Sequence, residues 1–215
     1  MNGVSRFDIN CRRCARINEH LSKVRQEYPE YHARPVPPFG VEAPRLLVVG
    51  LGPGMHGANA TGRPFTGDHA GILLYRTLHH YGFSNQPDSV NISDTLHMTG
   101  CRITNAVKCL PPGNKPTPQE IRTCNSFLTQ ELAEIVPGQV ILALGRIAHD
   151  AILLGLHLKQ KDLPFTHGAI HPLQDDRWLV DSYHCSRYNT QTRRLTEQMF
   201  YEIFDKIHEL LLVSN

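Results

Sequence analysis

Cysteines set the first chemical question in this chain. Cys11 and Cys14 form a Cys-x-x-Cys pair that can reach one metal centre together. Cys109 and Cys124 are separated by a loop and the first turns of a helix, and can converge as a second pair. Four thiolates suit either zinc or an iron–sulfur cluster. The second pair has 14 intervening residues. That interval leans toward iron–sulfur, since structural zinc sites usually close both pairs at short spacing. The plain alternative is four unrelated thiols, because free cysteine often serves as a small core residue. Cys101 and Cys185 have no paired spacing.

The second candidate site is the loop GLGPGMHGANATGRPFTGD, residues 50–68. Gly52-x-Gly54-x-x-Gly57 matches the dinucleotide fingerprint in form only. Turn formers fill Ala58 to Gly67, where a helix should begin, and no acidic residue follows at the expected distance. No Gly-Lys-Ser/Thr closes a P-loop either. Small residues would still let a ligand approach the backbone closely. Phe65 is then a core anchor for the loop or a stacking face for a planar ligand. Asp68 is an N-cap or a catalytic carboxylate. Asn105 ends a strand, where a turn-forming role competes with recognition. His184 follows another strand directly. Arg187, Arg193 and Arg194 come after it, and Lys108 and Lys115 flank the loop after the second strand. Such cations suit phosphates or a solvated surface.

These residues need a scaffold. The chain has 215 residues, 40% hydrophobic and 20% charged, with a net charge of +2. That excludes a disordered chain and leaves nucleic-acid binding open without demonstrating it. One domain spanning 1–215 is expected, with an N-terminal arm over 1–40 that carries a polar, helix-compatible stretch and has no obvious core of its own. Buried strands are read at 45–49, 102–107, 139–144 and 178–183. Helices are read at about 69–81, from Thr117 through Ile135, from Gly145 to about Leu154, and at about 190–212. Thr117, Pro118 and Glu120 make a capping box at the second of these. The alternation predicts an α/β three-layer sandwich, with a central four-stranded parallel sheet flanked by helices. Ligand sites in such folds lie at the carboxyl ends of the strands, where all three unusual loops fall. The opening MNGVSRFDIN has no apolar h-region, and no apolar run is long enough for a membrane span. A soluble, cytoplasmic monomer is expected.

The loop at residues 50–68, then TNAVKCLPPGNKPTPQEIRTC, FTHGAIHPL and HCSRYNTQTRRLT, resemble the type B (family 5) uracil-DNA glycosylases. The Cys-x-x-Cys pair belongs to the same pattern, and the blocks span Cys11 to about Thr196. The resemblance implies one [4Fe–4S] cluster held by Cys11, Cys14, Cys109 and Cys124. It implies hydrolysis of the N-glycosidic bond of uracil, and of other deaminated bases such as hypoxanthine, in DNA. Phe65 and Gly52 would lie against the flipped base, and Asn105 would read its edge. Asp68 and Asn189 would stand near the sugar and the water, and His184 near the departing base. Ser186, Arg187, Arg193 and Arg194 would contact DNA. Two features stand out. Gly52-Pro53-Gly54 stands where glycosylases of other families carry a polar water-activating side chain, as type B members have Gly or Ala. His184-Cys185-Ser186 replaces the usual His-Pro-Ser, which frees the backbone before Ser186. A non-catalytic iron–sulfur or zinc protein that binds nucleic acid is the main rival, and a nucleotide-binding α/β protein the second.

Overall fold

The computed structural model describes residues 7–134 and 137–213. Ile135, expected to extend a helix, and the first six residues of the arm lie outside them.

Four buried apolar segments become parallel strands. They are β2 (Leu46–Gly50), β3 (Cys101–Asn105), β4 (Val140–Leu144) and β6 (Trp178–Ser182). Two short antiparallel strands, β1 (Phe39–Gly40) and β5 (Ile170–Pro172), extend the edges. The sheet order is β1-β3-β2-β4-β6-β5, so the expected four strands become six. At two and three residues, both edge strands are too short for an alternating pattern to show.

Strand alternation splits the core into two layers. A one-turn α2 (Ala58–Thr61) lies in the glycine loop, and Leu46, Val48, Val140, Leu142 and Val180 face α3 (His69–His80) and α7 (Glu197–Val213). Leu47, Val49, Ile141, Ala143 and Leu179 face α4 (Pro118–Leu132) and α5 (Arg146–Gly155). The capping box of α4 forms as expected, with Thr117 Oγ1 accepting from Glu120 N and Glu120 Oε2 accepting from Thr117 N.

The helix-compatible stretch of the arm does fold as a helix, packed on the body of the protein. Residues Ala15–Glu27 form α1, which buries Ile17, Leu21 and Val24 against Val107, Leu110, Cys124 and Phe127. Its polar surface hid a sparse apolar stripe. The expected helix at 190–212 is interrupted. Arg187–Gln191 form a short α6, and Arg193 takes a left-handed φ of 58° before α7 begins. No described helix is long and apolar enough to cross a membrane.

Candidate active site and thiol cluster

The carboxyl ends of β2, β3, β4 and β6 surround a cavity of about 440 Å³. Gly52, Phe65, Asp68, Asn105, His184 and Ser186 all line it. The fold thus gathers residues that lie up to 134 positions apart, as the distance from Gly52 to Ser186 shows.

Phe65 is buried and adopts a left-handed φ of 54°. A non-glycine residue held there stores about 1–3 kcal/mol, so its surroundings must fix it. They do. Tyr75 donates its hydroxyl to Pro64 O at 2.7 Å. Buried Arg63 donates to Asp94 Oδ1 at 2.6 Å, and to Ser89 Oγ and Ile92 O, both at 3.1 Å. The Phe65 ring lies 5.8 Å from the His184 ring at 27°. Beneath it Gly50 has no room for a side chain. A Cβ there would stand 2.6 Å from Asn105 Oδ1 and 2.7 Å from Phe65 Cζ.

Asn105 is buried at the end of β3. Among the described residues, nothing hydrogen-bonds to its side-chain oxygen. An orphaned buried acceptor costs about 1–3 kcal/mol, which a ligand donor can return.

Asp68 is an N-cap that also lines the cavity. Oδ1 accepts from Gly71 N at 2.9 Å and caps α3. Oδ2 faces the glycine loop, where a Cβ on Gly57 would come within 2.8 Å of it. Burial raises the Asp68 pKa, opposed by the Gly71 and Ala70 amides. His184 is pushed down to about 4 by burial. At neutral pH it is an uncharged imidazole able to donate one N–H.

Asn189 does not line this cavity. Its Nδ2 donates to His184 O at 2.7 Å, so it holds the backbone that carries the histidine. Ser186 caps α6 through Asn189 N at 3.4 Å. The arginines separate. Arg187 stands by a groove with Asp68 and Asp88, and Arg193 by one between α3 and α7. Arg194 stacks over the Tyr183 ring at 4.5 Å. Lys108 is not available to phosphate, because it is buried and donates to Glu131 Oε1 at 2.8 Å. Sequence reasoning missed Arg146, Ile147 and Asn114, which also line the cavity. The signal was that Arg146 comes just after β4, with only Gly145 between, at the same carboxyl edge.

Cys11, Cys14, Cys109 and Cys124 line a second, small hollow between α1, α4 and the loop after β3. None of the four is in a disulfide. Burial and then the neighbouring sulfurs and Glu120 push Cys14 up to about 11, and burial and the other three cysteines raise Cys109. Sulfurs that repel one another as thiolates share one space, which bound metal cations would neutralise. Lys108 N donates to Cys124 Sγ at 3.3 Å. Among the described residues, no three of the sulfurs lie within 4.8 Å of one another. One tetrahedral zinc requires sulfurs about 3.8 Å apart. A soft donor set at wider spacing fits a cluster of several irons.

Comparison with known proteins agrees with this architecture. The family model of the uracil DNA glycosylase superfamily matches residues 37–208. The chain belongs to that superfamily, and its similarity lies with the type-5 family. A type-5 uracil-DNA glycosylase of Thermus thermophilus is 48% identical over 198 residues, covering 90% of each chain. One of Pyrobaculum aerophilum is 40% identical over 199 residues, covering 91% of this chain and 86% of the relative. One of Mycobacterium leprae is 42% identical over 205 residues, covering 90% and 88%.

Proposed function

We propose that this chain is a DNA repair N-glycosylase that hydrolyses the bond between uracil and deoxyribose, leaving an abasic site. The observation that carries this reading is the unpartnered side-chain oxygen of Asn105 in a cavity beside the Phe65 ring. Uracil presents an N3–H donor next to its O4 acceptor. An amide matches both, and its orphaned oxygen gains the partner it lacks. Cytosine has no proton on N3, so its ring would set an acceptor against that oxygen. A base inside a duplex cannot reach such a cavity, so the nucleotide must flip out. Phe65 then stacks on it, worth about 1–3 kcal/mol. Type-5 family membership supports uracil as the base.

Cleavage separates charge, leaving a cationic sugar and an anionic base. The neutral His184 donates a hydrogen bond to the departing base at O2. Asp68 favours the sugar cation and orients the water. Asn189 is a positioning residue for His184. Gly52 and Gly54 line the cavity without side chains, which extends the reading to hypoxanthine and other enlarged deaminated bases. Arg187, Arg193, Arg194 and Ser186 contact the DNA backbone.

Cys11, Cys14, Cys109 and Cys124 hold one [4Fe–4S] cluster, which when bound cross-links the arm to the loop after β3. The chain acts as a single domain, 1–215, and as a cytoplasmic monomer. A uracil-release assay on a defined duplex tests the activity. Wild type should release uracil and leave normal bases. Asn105→Ala should lose uracil release more than release of a base with a different hydrogen-bonding edge. An equal loss on every base would refute the edge-reading role.

A further inference from the structure

Apart from the base cavity and the thiols, two imidazoles and a carboxylate converge at the β5 edge of the sheet. They belong to His149 of α5, His171 of β5 and Asp181 of β6. The ligand atoms they offer all lie within 4.8 Å of one another. His149 and Asp181 are fully buried, while the His171 side chain is 12% exposed and opens the cluster to solvent.

Counting protons shows what the cluster lacks. Leu163 O can only accept, so His149 Nε2, at 2.9 Å, carries a hydrogen. A neutral His149 then turns the lone pair of Nδ1 toward Asp181 Oδ1, another acceptor, at 2.7 Å. Two acceptors that close need a cation between them, which is either an extra proton or a metal ion. Charge favours more than a proton. Burial opposes a charged His149, yet Asp181 and Asp150 raise its pKa. Asp150 Oδ1 is buried and has no hydrogen-bond partner among the described residues. Burial raises the Asp150 pKa, and His149 and Arg146 offset that only in part, with no ion pair between Arg146 and Asp150 among the described residues. A proton balances Asp181 alone, whereas a divalent ion balances Asp181 and Asp150 together.

We propose that His149 Nδ1, His171 Nε2 and the Asp181 carboxylate bind one divalent transition-metal ion of the zinc class. Two imidazoles and a carboxylate form a zinc donor set, with water in the fourth position. The hydrogen bond from His149 to Leu163 is the kind by which a ligating histidine fixes its tautomer and aims its other nitrogen. Donors bound to a tetrahedral zinc stand about 3.3 Å apart. His171 Nε2 already lies 3.2 Å from Asp181 Oδ2. His149 Nδ1 has to retreat by about 0.6 Å to reach the same spacing. The ion acts as a clasp, because the chain between α5 and β6 wraps this cluster. Thr166 N donates to Asp181 Oδ2 at 3.4 Å, Gly168 N donates to Asp181 O at 2.8 Å, and Asp181 N donates to Ala169 O at 3.0 Å. Phe165 closes over His149 edge-on, with ring centroids 5.6 Å apart. The clasp fastens residues 163–172 to the helix and the sheet. It depends neither on the cysteines nor on the glycosylase reading.

The test uses the purified full chain, its iron content measured, with zinc alone as the probe. Zinc is titrated against a competing chelator in wild type, His171→Gln, His171→Cys and His97→Gln, the last an exposed control. X-ray absorption at the zinc edge reads the ligands. Wild type should bind one zinc per chain besides any iron, with nitrogen and oxygen at about 2.0–2.2 Å and no sulfur at about 2.3 Å. His171→Gln should weaken binding by at least about 100-fold, more than the loss of an outer-shell partner costs. His97→Gln should leave it unchanged. His171→Cys should keep zinc and add one sulfur at about 2.3 Å. Zinc should slow amide exchange across residues 163–172 in wild type and not in His171→Gln. His171 lies on an edge strand, so its replacement leaves the buried His149–Asp181 pair in place, and urea unfolding checks that the variant is folded. A proton is the only bridging cation, and the proposal is overturned, if wild type binds no zinc, if its zinc sits among sulfurs, or if folded His171→Gln binds as tightly as wild type.

Discussion

Replacing Asp68 with asparagine separates its two jobs. The cap survives, because an amide oxygen can accept from Gly71 N as Oδ1 does at 2.9 Å. The negative charge facing the glycine loop is lost. Burial raises the folded pKa of Asp68 above the ordinary 3.8. The native state therefore holds its proton more tightly than the unfolded chain. Stability falls as pH rises between the unfolded and folded pKa, and stays lowered above that window. An amide does not titrate there, so Asp68→Asn should be at least as stable as wild type at a pH of about 7.5. Its single-turnover uracil release should nevertheless drop by about 10²–10⁴, the range for a positioned carboxylate acting on water. That is about 2.7–5.4 kcal/mol of barrier. Asp68→Ala should show the same rate loss and, in addition, about 1 kcal/mol lower stability from the missing cap. The assay is uracil release with enzyme in excess, normalised to folded protein, beside urea unfolding of all three proteins. If Asp68→Asn cuts at the wild-type rate per folded molecule, the carboxylate is only a cap and its catalytic role is refuted.

His184→Ala should slow single-turnover release about 10²–10³-fold on uracil and less on a base that leaves easily, with binding to abasic DNA little changed. Its depressed pKa, about 4 against an ordinary 6.5, has a second consequence. Between those values the unfolded chain binds the extra proton, so stability should fall as pH drops from 6.5 toward 4. The uracil rate should show no inflection from His184 between about pH 6 and 8, and a histidine-like step there that vanishes in the variant would contradict the neutral donor. Cys14→Ser should lose iron, stability and activity together, while four irons per chain retained in that variant would break the ligand assignment. Asp94→Ala should cost about 3–5 kcal/mol by leaving the buried Arg63 guanidinium without its carboxylate. A loss under about 1 kcal/mol in urea unfolding would show that the glycine loop is held by other interactions.

The four parallel strands were legible because each is a continuous apolar run between turn formers. The capping box at Thr117 was legible because it is local. The edge strands were not, since Phe39–Gly40 and Ile170–Pro172 are too short to carry a pattern. The arm's helix was legible as a polar, helix-compatible stretch, but its buried face of Ile17, Leu21 and Val24 was not, because it is sparse. At the cavity, Phe65, Asp68, Asn105 and His184 could be named because strand ends and loop composition pointed to them. Gly50 and Arg63 could not. The first acts by the side chain it lacks, and the second through Asp94, 31 residues away. Lys108 misled for a related reason. A lysine in a loop looks solvated until Glu131, 23 residues on, is seen to hold it inside.

The thiol cluster and the base cavity are mechanically one structure. Asn105 lies only four residues before Cys109. The backbone between them is fixed from the arm, where Val36 N donates to Lys108 O at 2.7 Å. The same arm holds the other wall. His32 N donates to Ala60 O and Ala33 N to Asn59 O, both at 2.9 Å, within the loop that carries Phe65. Arg16 of α1 meets Glu120 at the capped start of α4 at 2.7 Å, on the helix that supplies Cys124. On the proposed function, tying Cys11 and Cys14 to Cys109 and Cys124 would set the spacing between the Phe65 ring and the Asn105 amide. Gly52, Gly54 and Gly145 line the same cavity and bring no side chains to pack, so they cannot set that spacing. Loosening the cluster should degrade base selection before it unfolds the sheet, because β2, β4 and β6 keep their own buried layers.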